Sequence, residues 1–270
     1  MHHTSSHPST LPSANLPRTL QRPQFVEVPA RNIAAVAPDL AGVPNEYVRS
    51  QLLSTARRMM TGAAALTIPS TIRQSHLPAH LNVGCRHTAG AAYPTHLLAV
   101  GPSRPTSADQ TLALVPTHAL VLAAHCARAP PLDASAPHPS GSMLPLRVVR
   151  MTLPSPAAFS IIHTYMYNHR SDAVVQALFP SLPENVARQF RTREAVLGAL
   201  ASGQTKHQLA AHLAHVESSN LSRLSACAAH VKDVWQDMVS LGMCDPQLWD
   251  TIDLCWEIVL ASLNLAATRR

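Results

Sequence analysis

Histidine and cysteine are the residues of this chain best suited to metal or nucleophilic chemistry, and there are sixteen of one and five of the other. His207, His212 and His215 fall in one helical stretch, and His212 and His215, three apart, share a face. Zinc takes three or four convergent nitrogen or sulfur ligands. No carboxylate or cysteine stands at ligand spacing here, so these read as solvated or packed histidines. Cys85, Cys126, Cys227, Cys244 and Cys255 form no CxxC pair. An odd number at wide spacing reads as buried thiols in a reducing compartment. His125 and Cys126 are sequence neighbours and point to different helix faces. That is wrong for a thiolate–imidazole couple unless His163 or another group comes from afar. An enzyme reading would have to gather His118, Cys126 and His163. The chain has no GxSxG elbow, and its nine glycines stand singly, so no phosphate loop is present. The expectation is no catalytic set, no metal and no cofactor.

Binding chemistry has two candidate sources. Arg147 and Arg150, with Arg188, Arg191 and Arg193, make small basic clusters, and Arg57-Arg58 makes a third. They suit a phosphate, a nuclear-import factor or an ordinary solvated face. Formal charge is +6, yet only 13% of residues are charged. That is thin for neutralising a phosphate backbone, and 4% aromatic content argues against base-stacking platforms. No helix dense in Arg, Lys, Asn or Gln is visible. The second source is Trp235, Trp249 and Trp256. Trp249 and Trp256 lie seven apart, on a face offset from the Leu248–Val259 stripe, and are candidates for docking a partner.

The elements that would position these groups follow from periodicity. Residues 1–24 are rich in Pro, Ser, Thr and His and are expected to be a disordered tail. Residues 25–62 offer a short strand at Gln24–Val28 and a helix from Asn45 through Met60, with Tyr47, Leu52, Leu53, Ala56 and Met60 mostly on one side and Gly62 ending it. Residues 63–180 form an α+β core. Thr67–Ile72 and Leu81–Cys85 are extended candidates, and His96–Val100 and Thr111–Pro116 read as strands. Thr117 caps a helix over His118–Ala129, stopped by Pro130-Pro131. A Pro-rich insert occupies 129–145. Leu146–Leu153 alternates as a strand, and Ser155-Pro156 starts a helix over Ala157–Tyr167 with Phe159, Ile162 and Met166 inward.

Residues 181–270 read as a helical bundle or hairpin. A helix from Pro183-Glu184 carries Val186, Phe190, Val196, Leu197 and Leu200 inside. A seam from Leu209 to Leu241 has a stutter near Ser218–Ser222 and forms either one helix or two. Asp245-Pro246 starts the last helix. The seam packs either within the chain or against a second copy, which keeps a homodimer open. No run approaches the ~18 apolar residues of a membrane span, and no secretory signal begins the chain.

The order strand, helix, insert, strand, helix resembles the BTB/POZ domain. VPTHALVLAAHC is similar to that family's first helix segment, with Cys126 where serine is usual. PSPAAFSIIHTYMYNHR is similar to its later segment, with Asn168-His169 replacing Thr-Gly. The resemblance implies a hairpin of His96–Val100 with Thr111–Pro116 across a long connection, and structural roles for His118, Leu122, Phe159 and Tyr165, with His118 bonding locally at the strand–helix junction. A broader resemblance runs from SANLPRTLQRPQFVEVPARNIAAVAPDLAGVPNEYVRSQLL through FSIIHTYMYNHRSDAVVQALFPSLP to DPQLWDTIDLCWEIVLASLNLA. These stretches are similar to the clampless protein family of basidiomycete fungi. That resemblance implies a nuclear, non-enzymatic regulator of sexual development acting by protein–protein interaction with homeodomain or other transcription factors. Direct DNA binding through the arginines, and a ubiquitin-ligase adaptor by BTB analogy, are the alternative readings.

Overall fold

Leu97, Leu98, Ala99 and Val100 are consecutive and all essentially buried, which requires a strand covered on both faces. This is β4 (His96–Pro102), the centre of the molecule in a computed structural model that describes residues 16–105, 107 and 109–268. The other strands are β1 (Leu66–Thr67), β2 (Thr71–Arg73), β3 (His80–Cys85), β5 (Thr111–Thr117) and β6 (Met143–Leu153). They form one six-stranded sheet in the order β1-β3-β6-β4-β5-β2. All neighbours pair antiparallel except β4 with β6, which run parallel from His96 beside Arg147 to Pro102 beside Leu153. The expected hairpin is therefore present as β4–β5.

Strand alternation divides the interior in two. Leu97 and Ala99 of β4 join Leu144 and Leu146 of β6, Val83, Leu112 and Leu114 in a small core on one face. Leu98 and Val100, with Met151 and Leu153, look the other way into a larger core shared with the helices. β6 thus buries its even residues early and its odd residues late.

The helices are α1 (Ala30–Val36), α2 (Asn45–Ala64), α3 (Ala119–His125), α4 (Phe159–Asn168), α5 (Ser171–Leu178), α6 (Glu184–Ala187), α7 (Arg193–Ala201), α8 (Gly203–Val216), α9 (Leu221–Leu241) and α10 (Pro246–Thr268). The fold class is α+β, with a helical C-terminal region as expected. α10 packs against α5, α7, α8 and α9. The side chains of Thr192, Ser202 and Asn220 each accept a backbone N–H at the start of α7, α8 and α9, worth about 1 kcal/mol apiece.

Several elements differ from expectation. Gln24–Val28 forms no strand; it lies beside α2, with Asn45 Nδ2 donating to the Val28 carbonyl at 2.6 Å. α2 runs through Gly62 to Ala64. It buries Val48, Leu52, Ala56 and Met59, and leaves Tyr47, Leu53 and Met60 exposed. α3 stops at His125, because Cys126 leaves the helix to pair with Met243 in an antiparallel bridge. Thr117 does not cap it; the Ala119 N–H goes to Thr95 Oγ1 at 2.8 Å. α4 begins at Phe159, and Ser155 is held by carboxylates elsewhere. The 184–201 stretch is broken into α6, a 3-10 turn and α7. The long seam is two helices, broken where Ser218 and Ser219 adopt φ of 53° and 52°.

Two further corrections concern the ends. Residues 1–15 lie outside the described residues, but 16–24 are held on the bundle. Leu20 is buried, the Pro17 carbonyl accepts from Trp256 Nε1 at 3.2 Å, and Arg22 pairs with Asp250 and Asp253. By length and composition, Pro246–Thr268 is apolar enough to cross a membrane, contrary to expectation. Half of that window is buried inside the protein. A central bundle helix must be apolar on nearly every side.

Candidate functional site

Where the sheet-bearing half meets the C-terminal helices, the buried seam is polar, and it is built from helix ends. Asp245 caps α10, its Oδ1 accepting the Leu248 N–H at 3.0 Å and the Tyr165 hydroxyl at 2.9 Å. Its Oδ2 lies 3.6 Å from His169 Nδ1. His169 closes α4 in the left-handed region, at φ 47°. That turn aims its ring back, with Nε2 2.9 Å from His125 Nε2 and the Tyr165 ring stacked on it at 5.1 Å.

The tautomers follow from partners. His125 Nδ1 lies 2.8 Å from the Val121 carbonyl, which can only accept, so Nδ1 carries the proton. His125 Nε2 therefore accepts from His169 Nε2–H, and a neutral His169 presents its Nδ1 lone pair to Asp245. Burial lowers His125 to about 4 and also lowers His169, against the pull of Asp245. Burial and the Asp245 charge raise Tyr165.

A second cluster surrounds Tyr167 on α4. Its oxygen accepts the His118 N–H at 3.1 Å and lies 2.9 Å from His118 Nδ1. His118 Nε2 donates to the Ala92 carbonyl at 3.1 Å, so Nδ1 accepts the Tyr167 proton. His163 packs on Tyr167 at 5.1 Å and reaches Thr117 Oγ1 at 3.1 Å. Burial lowers both His118 and His163 to about 4. These rings are neutral hydrogen-bonding parts of the core.

The third polar contact is between the β6–α4 turn and α9. The Ser155 N–H donates to Asp237 Oδ1 and its hydroxyl to Asp233 Oδ1, both at 2.8 Å. Burial, reinforced by the Asp233 charge, pushes Asp237 up to about 7 against the Ser155 hydrogen bond. Its Oδ2 is buried without a partner among the described residues. Next to this contact lies a groove of about 440 Å³ lined by Pro102, Arg104, Pro154, Trp235, Gln236 and Val239. The pH dependence has a definite sign. Below about 3.8 the Asp237 carboxyl is neutral folded or unfolded, and between there and about 7 only the unfolded form ionises, so the native state loses stability as pH rises. Asp237→Asn is expected to raise the melting temperature at pH 8 and to change it much less at pH 5, measured by calorimetry.

The residues singled out by sequence do not assemble as one site. Cys126 lies 3.7 Å from Met166 Sδ and 3.4 Å from Met243 Sδ rather than against an imidazole, and burial drives its thiol pKa upward, away from the thiolate. Trp249 and Trp256 are only 5% and 1% exposed. They do not form a docking face, because residues 16–22 return across α10 and Trp249 Nε1 donates to the Met243 carbonyl. Trp235 is half-buried and lines the groove. His118, Leu122, Phe159 and Tyr165 are all core residues.

The arginines are dispersed and mostly engaged. Arg147 pairs with Asp133, Arg150 donates to Gln74, Arg188 pairs with Glu184 and Arg193 pairs with Asp250; Arg191 is exposed. Among the described residues no group of three or more His, Cys, Asp or Glu is placed to hold a metal ion.

Sequence reasoning missed the His125–His169–Asp245 contact, the Ser155–Asp233–Asp237 contact and the pairing of Arg22 with α10. One signal was present for the first, since Asp245-Pro246 marks a cap and His169 follows a helix end. The partners are 44 and 76 residues apart, and nothing local joins them.

Neither a curated protein nor a solved structure matches the chain. Two family models do, and they divide it near the polar seam. The model described as Clampless protein 1 N-terminal domain matches residues 23–154, and the one described as Clampless protein 1 C-terminal domain matches 172–270. The sheet and α1–α3 fall in the first, α5 from Asp172 onward and α6–α10 in the second, and α4 lies between the two matches. With both models matched in order over most of its length, the chain belongs to the clampless protein family.

Proposed function

We propose that the chain is a non-enzymatic, nuclear protein–protein interaction module that regulates sexual development by binding transcription factors. Family membership implies a developmental regulator; the mode of action, the homeodomain class of partner and the compartment are our reading. One observation carries the preference for a protein partner over nucleic acid. Phe25, Val26 and Tyr47 are 63%, 56% and 58% exposed, on a segment and a helix start tied together by Glu27, which accepts from Asn45 and Arg49. Exposed aromatic and branched side chains held on a fixed frame suit a protein contact. At four of the five candidate positions the arginine already donates to an acceptor of this chain.

The BTB/POZ-like description of the core is also our reading. Its support is the element order, a β4–β5 hairpin, α3, the insert, β6 and α4. A ubiquitin-ligase adaptor follows from that analogy alone and ranks below the regulator.

The test is binding of the full chain to purified homeodomain factors of the mating-type pathway, with and without nuclease and across a salt series. Binding that survives nuclease, varies little with salt and weakens at least tenfold in Tyr47→Ala/Phe25→Ala is expected. Binding that disappears with nuclease, or DNA affinity that falls steeply with salt, would favour the nucleic-acid reading.

A further inference from the structure

Ser155 stands between the two halves of the chain, one residue past the N-terminal family match and before the C-terminal one. Of the 23 prolines, only Pro156 follows a serine or threonine. Proline-directed protein kinases recognise a serine or threonine immediately followed by proline, so the chain has a single residue of that class. It is placed where the turn reaches solvent: Pro154 and Ala157 are exposed and Ser155 itself is half-buried.

The surroundings of Ser155 are unusual in having acceptors of one sign only. Its N–H and its hydroxyl go to two different carboxylates one helical turn apart on α9, Asp237 and Asp233. A hydroxyl donates to such a pair. A phosphoryl group carries about −1.5 to −2 charges and only acceptor oxygens on its ester form, so it repels them. Asp237 is fully buried with one oxygen already unpartnered among the described residues, which leaves it no means of turning away. One cation, Arg104, lines the neighbouring groove together with Pro154.

We propose that Ser155 is a phosphorylation site for a proline-directed kinase, and that the phosphoryl group breaks the contact between the β6–α4 turn and α9. In the transfer, Ser155 Oγ forms a bond to the γ-phosphorus of ATP, the bond from that phosphorus to the bridging oxygen breaks, ADP leaves, and the hydroxyl proton passes to the kinase's base. Separating Pro154 from α9 widens the groove beside Trp235. Phosphorylation therefore loosens the sheet-bearing half from the helical half at their joint, independently of which partner the protein binds.

The experiment has two arms on the full chain. In the first, a proline-directed kinase and ATP are added, and the tryptic peptide 151–170 is examined by mass spectrometry alongside the same synthetic peptide as a control. Phosphate on Ser155 in the folded protein, with a fall in melting temperature, is expected. Phosphate on the peptide alone, on neither, or on the protein without a thermal shift would overturn the proposal. In the second arm, Ser155→Glu is compared with Ser155→Ala. The glutamate variant is expected to melt on the order of 5 °C lower than the alanine variant, and adding Asp233→Asn and Asp237→Asn is expected to recover most of that difference. Equal melting of the two single variants, or no recovery, would mean that charge at this position has no special effect.

Discussion

Acidification from pH 7 to pH 5 is expected to unfold the protein cooperatively, with uptake of several protons. Five histidines have their pKa lowered by burial: His96, His118, His125, His163 and His169. A histidine whose folded pKa is depressed favours the native state above the unfolded value near 6.5, and that contribution is lost as pH falls toward the folded value. For His118, His125 and His163, lowered to about 4, the loss by pH 5 is about 2 kcal/mol each. Three such groups remove about 6 kcal/mol, and His96 and His169 add to it in the same direction. Asp237, raised to about 7, works the other way and returns roughly 2 kcal/mol over that range. The remainder is still a large share of the 5–15 kcal/mol typical of a folded domain. A pH titration followed by far-UV circular dichroism checks it. A midpoint between pH 6 and 4 with a slope of three or more protons is expected. A midpoint below pH 3.5, or a slope of one proton, would mean that these imidazoles are charged or solvated in the native state.

Those histidines illustrate what the sequence could and could not reveal. Their abundance was plain, and His118 was placed at a strand–helix junction from its neighbours alone. Their protonation states were not, because each depends on a contact made at long range: His118 on Tyr167 and Ala92, His125 on His169, His96 on Asp133. β4 was legible as a strand because a strand buried on both faces is apolar at every position and needs no partner to be seen; its pairing with β5 came only from the BTB/POZ resemblance. The end of α3 was not, because Cys126 has helical neighbours and leaves the helix only to meet Met243, 117 residues on.

The tryptophans failed for a related reason. Periodicity found a second apolar face on α10, and an unpaired face and a covered face look alike in one dimension. Residues 16–22 cover it, and their composition resembles a disordered tail. The stutter at Ser218–Ser222 was visible, but its resolution into two helices rests on two left-handed serines, a conformation that no local preference of serine would select.

The same limit explains Gly62, which reads as a helix stop and is instead a contact. α2 continues through it, and the space where a side chain would begin is occupied by the Ala92 backbone carbonyl. That carbonyl cannot step aside freely. The Ala92 N–H donates to the Arg58 carbonyl at 3.0 Å, the Arg58 guanidinium to the Gly90 carbonyl at 2.9 Å, and the carbonyl itself accepts from buried His118 at 3.1 Å. Gly62→Ala therefore has to move the 90–93 loop, loosen His118 from its acceptor and disturb the Tyr167 cluster together. Overpacking of this kind, with a lost buried hydrogen bond, is expected to cost about 3 kcal/mol or more, or roughly 6–12 °C in melting temperature for a chain of this size. Gly198 in α7 is the control, since nothing lies within 4 Å of an added methyl. There the same substitution removes only the entropy penalty of a helical glycine and is expected to stabilise by about 0.5–1 kcal/mol. Opposite signs for the two variants would place the α2–Ala92–His118 contact among the most stringent packing constraints in the protein. Equal, small effects would mean that the 90–93 loop yields without cost and that His118 is held by Tyr167 alone.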